Sequence, residues 1–149
     1  MKHYFNEEEL FGQITARLLA DANDRTTYEC MCDIIITNKY LYVREDNYNG
    51  TYNYHFKIQT ENVISVNKYI QKDEFNSEEK SSYKFIRKLF LIFGNLMGVI
   101  QLKKQNVTKE FLEIKFTKDN DQFTSIFFED CSNIGKIVQA FKNYKSFYY

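Results

Sequence analysis

The side chains with the most chemical potential are two thiols one residue apart, Cys30 and Cys32, and two imidazoles, His3 and His55. Paired thiols bind soft metals or cycle through a disulfide, and a thiol beside an imidazole can act as a nucleophile. The spacing points to a plainer role. Cys30, Cys32, Ile34 and Ile36 fall on one face of a period-two stretch, with Met31, Asp33, Ile35 and Thr37 on the other, so both thiols read as core. A metal needs further ligands, and the sequence offers only His3 near the chain end and His55 in the polar register of a strand. Neither histidine has a sequence neighbour that would orient it as a base. Cys131 brings the cysteines to 3, an odd number that favours reduced thiols over a disulfide framework. The 5 glycines are scattered and form no phosphate loop. The expectation is therefore no catalytic residue, no metal and no cofactor.

A second constellation runs from Lys84 to Phe93, where Lys84, Arg87 and Lys88 share a segment with Phe85, Ile86, Leu89, Phe90, Leu91, Ile92 and Phe93. Cations on a broad apolar face are the composition of a helix lying in a membrane interface or a partner's groove. Self-packing is the plainer reading of such a stripe. Lys84, Arg87, Lys88, Phe90 and Phe93 are the contact candidates. A bilayer span is not expected, because the uninterrupted apolar part from Leu89 to Ile100 contains Asn95 and falls short of the ~20 residues required.

These residues need elements to hold them. The chain has 149 residues, 44% of them hydrophobic and 17% aromatic, enough for one domain over positions 1–149 with a single core. Asn6 and Glu9 resemble a capping box, and Leu10, Phe11, Ile14, Leu18 and Ala22 recur at helical spacing, which predicts a helix over 6–24. From Thr27 the period becomes two. Strands are expected over 27–37, 40–45, 51–58 and 63–70, with Leu41 and Val43 inward and Tyr52, Tyr54, Phe56 and Ile58 together on one face. The polar stretch from Gln71 leads into an insertion over 71–95, with a helix favoured from Tyr83 and a hairpin around Gly94-Asn95 the alternative. Strands follow at 97–104, 110–117 and 122–129. Asp130 or Ser132 then caps a helix over 131–145, whose Ile134, Ile137, Val138 and Phe141 form the stripe of an end plug.

Seven strands and one amphipathic helix, with Ile34-Ile-Ile-Thr-Asn-Lys-Tyr-Leu-Tyr42 at the first turn and Ile58-Gln-Thr-Glu-Asn-Val-Ile-Ser-Val66 further on, resemble the pleckstrin-homology-like superfold. The GRAM-like and bacterial PH-like members are the nearest pattern. Tyr40 stands where those families often carry Arg, and Gln59 replaces a Pro. The resemblance covers 27–144 and implies a mainly β (α+β) fold: a seven-stranded barrel of two packed antiparallel sheets, capped by the C-terminal helix. The N-terminal helix and the insertion are additions to that pattern. The resemblance also implies phosphoinositide contacts at the first turn, for which Lys39 and Arg44 are weak candidates beside Glu45 and Asp46.

The 20 basic residues balance 20 acidic ones, so no positive field exists to hold a phosphate backbone, and nucleic acid is not an expected partner. The stretch Met1 to Glu9 lacks the apolar run of a signal peptide, which gives a cytoplasmic expectation, peripheral at a membrane if the 84–93 segment docks there. The functional expectation is a non-catalytic PH/GRAM-like module that binds a protein segment or a membrane surface. An exposed sheet edge or the insertion would make the contact. A self-associating structural domain forming a homodimer is the alternative, and an enzyme with an unrecognised pocket the weaker one. The apolar tail Phe147-Tyr-Tyr149 is expected to dock on the barrel or on a second copy.

Overall fold

The structure, a computed structural model, describes residues 1–21, 27–71, 109–118 and 121–149. It is mainly β. The strands are β1 (His3–Phe5), β2 (Glu8–Asp21), β3 (Thr27–Thr37), β4 (Tyr40–Asp46), β5 (Tyr52–Gln59), β6 (Val63–Gln71), β7 (Lys109–Thr117) and β8 (Phe123–Glu129). A single 3-10 turn, Thr60–Asn62, joins β5 to β6, and one helix, α1 (Ile134–Tyr148), ends the chain.

Among the described residues all pairings are antiparallel and belong to one sheet in the order β5-β4-β3-β2-β8-β7-β6, with β1 flanking the start of β2. Strands β2 to β5 form one meander and β6 to β8 another, joined where β2 meets β8. The sheet curls strongly, since the Phe56 ring on β5 lies 6.4 Å from the Phe116 ring on β7 although four other strands separate them in the ladder. Among the described residues β5 and β6, the two ends of the order, share no ladder, so closure of the expected barrel is not found there, and the described strands form one curled sheet rather than two packed ones.

The N-terminal segment corrects the sequence reading. Positions 8–21 form the longest of the described strands, not a helix, because Gly12, Ile14, Ala16, Leu18 and Ala20 also fit a period of two and all five are buried. Three of those are small residues that add little to an apolar pattern. Asn6 and Glu7, expected near a helix start, adopt left-handed φ values of 49° and 66° in the turn between β1 and β2. Glu8, rather than complementing a helix dipole, is buried and accepts hydrogen bonds from the Tyr42 hydroxyl at 2.8 Å and from Thr37 Oγ1.

Strands expected over 27–70 and 110–129 correspond to β3–β6, β7 and β8. The strand expected at 97–104 and the helical insertion lie outside the described residues. The final helix is present but is capped by Asn133, whose Oδ1 accepts from the Lys136 amide at 3.1 Å. Ser132 is engaged elsewhere, as described below. Helix α1 lays Ile134, Ile137, Ala140, Phe141 and Tyr144 on the core that the curled sheet encloses. The closest approach is at Gly12, where an added Cβ would stand 2.5 Å from the Ala140 Cβ. The tail docks on the same strand, with the Phe11 ring 6.1 Å from Tyr148 and 6.4 Å from Phe147.

Candidate functional site

Strand β2 pairs with β3 along most of its length, but its other side is shared out. It meets β1 from Glu8 to Leu10 and β8 from Arg17 to Asp21, and between those ladders no described strand flanks it. Ser132 occupies one end of the interval: its amide donates to the Thr15 carbonyl at 2.8 Å, and its Oγ accepts from the Thr15 amide at 3.1 Å. Side-to-side alternation along a strand then turns the Gln13 amide and carbonyl the same way as those of Thr15, away from β3. They face an open groove of about 640 Å³ lined by His3, Leu10, Phe11, Gly12, Gln13, Ile14, Thr15, Ser132 and Lys136. An extended chain laid there would find backbone hydrogen-bonding groups, two half-buried apolar side chains and two basic groups.

The second site lies where β3, β4 and β5 end. Cys32 is buried and Cys30 half-buried on the core face of β3, as the alternation implied. Glu45 follows Leu41 and Val43 in the inward register of β4. His55 arrives by a different route. The β4–β5 ladder pairs Val43 with Phe56 but Arg44 with Tyr54, so His55 is the extra residue of a β-bulge. A bulge re-aims a side chain and changes the phase of the strand. Phe56 and Ile58 stay on the core side, while Tyr52 and Tyr54 turn to the outer face beside Arg44, which corrects the expectation that all four share a face.

The four side chains converge. Cys30 Sγ is 3.6 Å from Cys32 Sγ and 3.5 Å from His55 Nε2, and the same Nε2 is 3.4 Å from Glu45 Oε1. Burial raises the Cys30 thiol above its ordinary pKa, the contact with Cys32 works against that, and the Glu45 charge reinforces it. Burial raises Cys32 further, with its neighbour Cys30 adding to the effect. Both thiols are therefore protonated at neutral pH. A thiolate nucleophile needs the opposite shift, and an orienting carboxylate belongs on the imidazole nitrogen remote from the thiol. Here Glu45 and Cys30 address one nitrogen. The geometry is that of a ligand set rather than of an activated nucleophile.

Comparison with family models, with curated proteins and with solved structures returned no match. The residues themselves carry the functional argument.

The contact candidates Lys84, Arg87, Lys88, Phe90 and Phe93 lie outside the described residues. Lys39 is exposed in the β3–β4 turn, beside a 260 Å³ hollow lined by Asn38, Lys39, Tyr40, Gln59, Glu61 and Tyr144. Lys39 and Glu61 are the charged groups in that lining, a poor match for a phosphate. Arg44 sits roughly 16 Å further along at the usual strand rise. Its guanidinium carbon is 3.7 Å from the Tyr52 ring centroid and 4.9 Å from that of Phe5, and its Nε is buried 3.4 Å from Asp33 Oδ2. That engagement leaves Arg44 a structural cation on the outer face. No described helix is long and apolar enough to cross a membrane.

The groove and the rim cluster escaped sequence reading for different reasons. The groove arises from pairing between segments far apart in the chain. The rim cluster depends on one inserted residue in β5. Only the shared face of Cys30 and Cys32 and the inward phase of Glu45 were written in the local pattern.

Proposed function

We propose that the protein is a non-catalytic binding module of the pleckstrin-homology-like, GRAM-like kind that takes up an extended protein segment as an added strand on the free side of β2. Two meanders followed by one amphipathic helix support the kinship. The observation that carries the binding mode is the outward backbone of Gln13, held between two ladders and opening on a groove. Strand addition gains affinity from main-chain hydrogen bonds and specificity from alternate side-chain pockets. Leu10 and Phe11 suit an apolar side chain of the incoming segment, and His3 and Lys136 suit an acidic one.

The test is selection of a randomised displayed peptide library on the intact protein, followed by comparison of Gln13→Pro with Gln13→Ala. Proline deletes the outward amide at a position where the β3 ladder does not use it, and edge positions tolerate it. Selected peptides should bind wild type and Gln13→Ala alike and lose at least about tenfold in affinity for Gln13→Pro, one main-chain bond and its neighbours being removed. Peptides that bind Gln13→Pro as well as wild type would overturn the reading. A wild-type dimer dispersed by Gln13→Pro in light scattering would instead identify the occupant as a second copy.

A further inference from the structure

We propose that Cys30, Cys32 and His55, with Glu45 beside His55 as the fourth donor drawn in on binding, form a site for a zinc-class divalent cation at the rim of the curled sheet. The donor atoms of Cys30, Cys32 and His55 all lie within 4.8 Å of one another. The finer match is in the edges. Zinc bonds of ~2.3 Å to sulfur and ~2.0–2.1 Å to nitrogen or oxygen give tetrahedral edges of about 3.8 Å between two sulfurs, about 3.6 Å from sulfur to nitrogen and about 3.3 Å from nitrogen to oxygen. The corresponding separations here are 3.6 Å, 3.5 Å and 3.4 Å. A cation placed among the two sulfurs and Nε2 finds three donors already gathered, and Glu45, 3.4 Å from Nε2, must swing toward the thiols to join them.

The donor types choose the metal. Two sulfurs and an imidazole favour a borderline-soft cation over magnesium or calcium, which prefer oxygen, and a single carboxylate completes a set that zinc accepts. With Glu45 drawn in, four protein ligands leave no open position, and the site is of the structural kind. It ties three adjacent strands together beyond the last β3–β4 pair, Asp33 with Arg44, and where the bulge at His55 interrupts the β4–β5 pairing.

The proton balance is simple. Cys30 and Cys32 each release the S–H proton, His55 coordinates through unprotonated Nε2 with its proton on Nδ1, and Glu45 binds as carboxylate. Zn²⁺ with two thiolates is neutral, and Glu45 makes the site singly negative. Because each thiol must give up its proton to bind, affinity falls as pH falls. The same contact of Cys30 Sγ with His55 Nε2 that resembles half of a catalytic pair is then the spacing that a shared cation requires.

The experiment uses the whole chain, reduced and metal-free, titrated with Co²⁺ and then with Zn²⁺. One equivalent of Co²⁺ should produce thiolate-to-metal charge transfer and the visible bands of tetrahedral cobalt, both bleached by Zn²⁺. Cys30→Ser should remove about half of the charge-transfer intensity, since one of two thiolates is lost, and His55→Gln should weaken Zn²⁺ binding at least about tenfold. Cys131→Ser should change nothing. X-ray absorption of the Zn²⁺-loaded wild type, which needs no variant to fold, should show two sulfur and two nitrogen or oxygen neighbours. No stoichiometric thiolate band, a third sulfur neighbour, or a band unchanged by both Cys30→Ser and His55→Gln would overturn the assignment.

Discussion

Gly12 is where β2 and α1 come closest, and its missing side chain sets how deeply the helix seats. A methyl group there would stand 2.5 Å from the Ala140 Cβ, so Gly12→Ala forces strand and helix apart. Overpacking of this kind costs about 1–3 kcal/mol. At about 2–4 °C per kcal/mol the melting temperature should drop measurably, and adding Ala140→Gly should recover much of the loss. Equal losses in the single and double variants would show that the contact is not the cause.

Glu113 offers a test in pH. Burial raises its carboxyl above the ordinary value, while hydrogen bonds from Tyr69, at 3.3 Å, and from Ser125 and the charge of Lys115 pull it back. A raised folded-state pKa means that the stabilising contribution is complete below the unfolded value near 4.5 and is lost as pH rises through the folded one. Ionising Glu113 in the folded state therefore means holding a partly desolvated charge. Glu113→Gln keeps an acceptor for Tyr69 and should raise the melting temperature at pH 7 more than at pH 4. The reverse order would contradict the sign. Cys131, which burial pushes up to about 12, should likewise react slowly with thiol reagents at neutral pH until the protein unfolds.

At the scale of elements, α1 depends on its first turn. Asn133→Ala removes the acceptor for the Lys136 amide and should cost about 1 kcal/mol, whereas Asn133→Asp or Asn133→Ser should preserve most of the stability, as thermal or urea melts would report. The elements differed in how plainly the chain announced them. The β3–β4 and β4–β5 hairpins were readable because polar turns at Asn38-Lys39 and Asp46 to Gly50 punctuate period-two runs. Strand β2 was not, since Leu10, Phe11, Ile14 and Leu18 satisfy both periods and the deciding evidence is burial of Gly12, Ala16 and Ala20 against neighbours that sequence does not name. The bulge in β5 left no local mark. A single unpaired residue moved Tyr52 and Tyr54 outward and brought His55 to the thiols, so the rim cluster was legible only in halves.

Across the whole molecule, protection should grade outward from the centre of the ladder. Arg17, Leu18 and Ala20 of β2 pair with both β3 and β8, whereas β5 and β6 end the order. Amide hydrogen exchange should therefore be slowest at Leu18 and its paired neighbours and faster in β5 and β6. Within β2 the Gln13 amide should exchange far faster than that of Leu18. Equal protection at both positions would mean that the outward face of Gln13 is already covered, and the groove would lose its role.

The two meanders meet through one short seam, Arg17 to Asp21 against Ile126 to Glu129, fastened at its end by Thr124 Oγ1 donating to Asp21 at a separation of 103 positions. A nascent chain leaving the ribosome would hold its first four long strands ready well before the partner of that seam had been synthesised. During that wait only β1 covers that flank of β2, from Glu8 to Leu10, and the rest is a template for any passing strand. Pairing of β8 later covers Arg17 to Asp21 and leaves a short window around Gln13, so the open stretch of edge is what remains of a folding hazard that the last strand resolves in part.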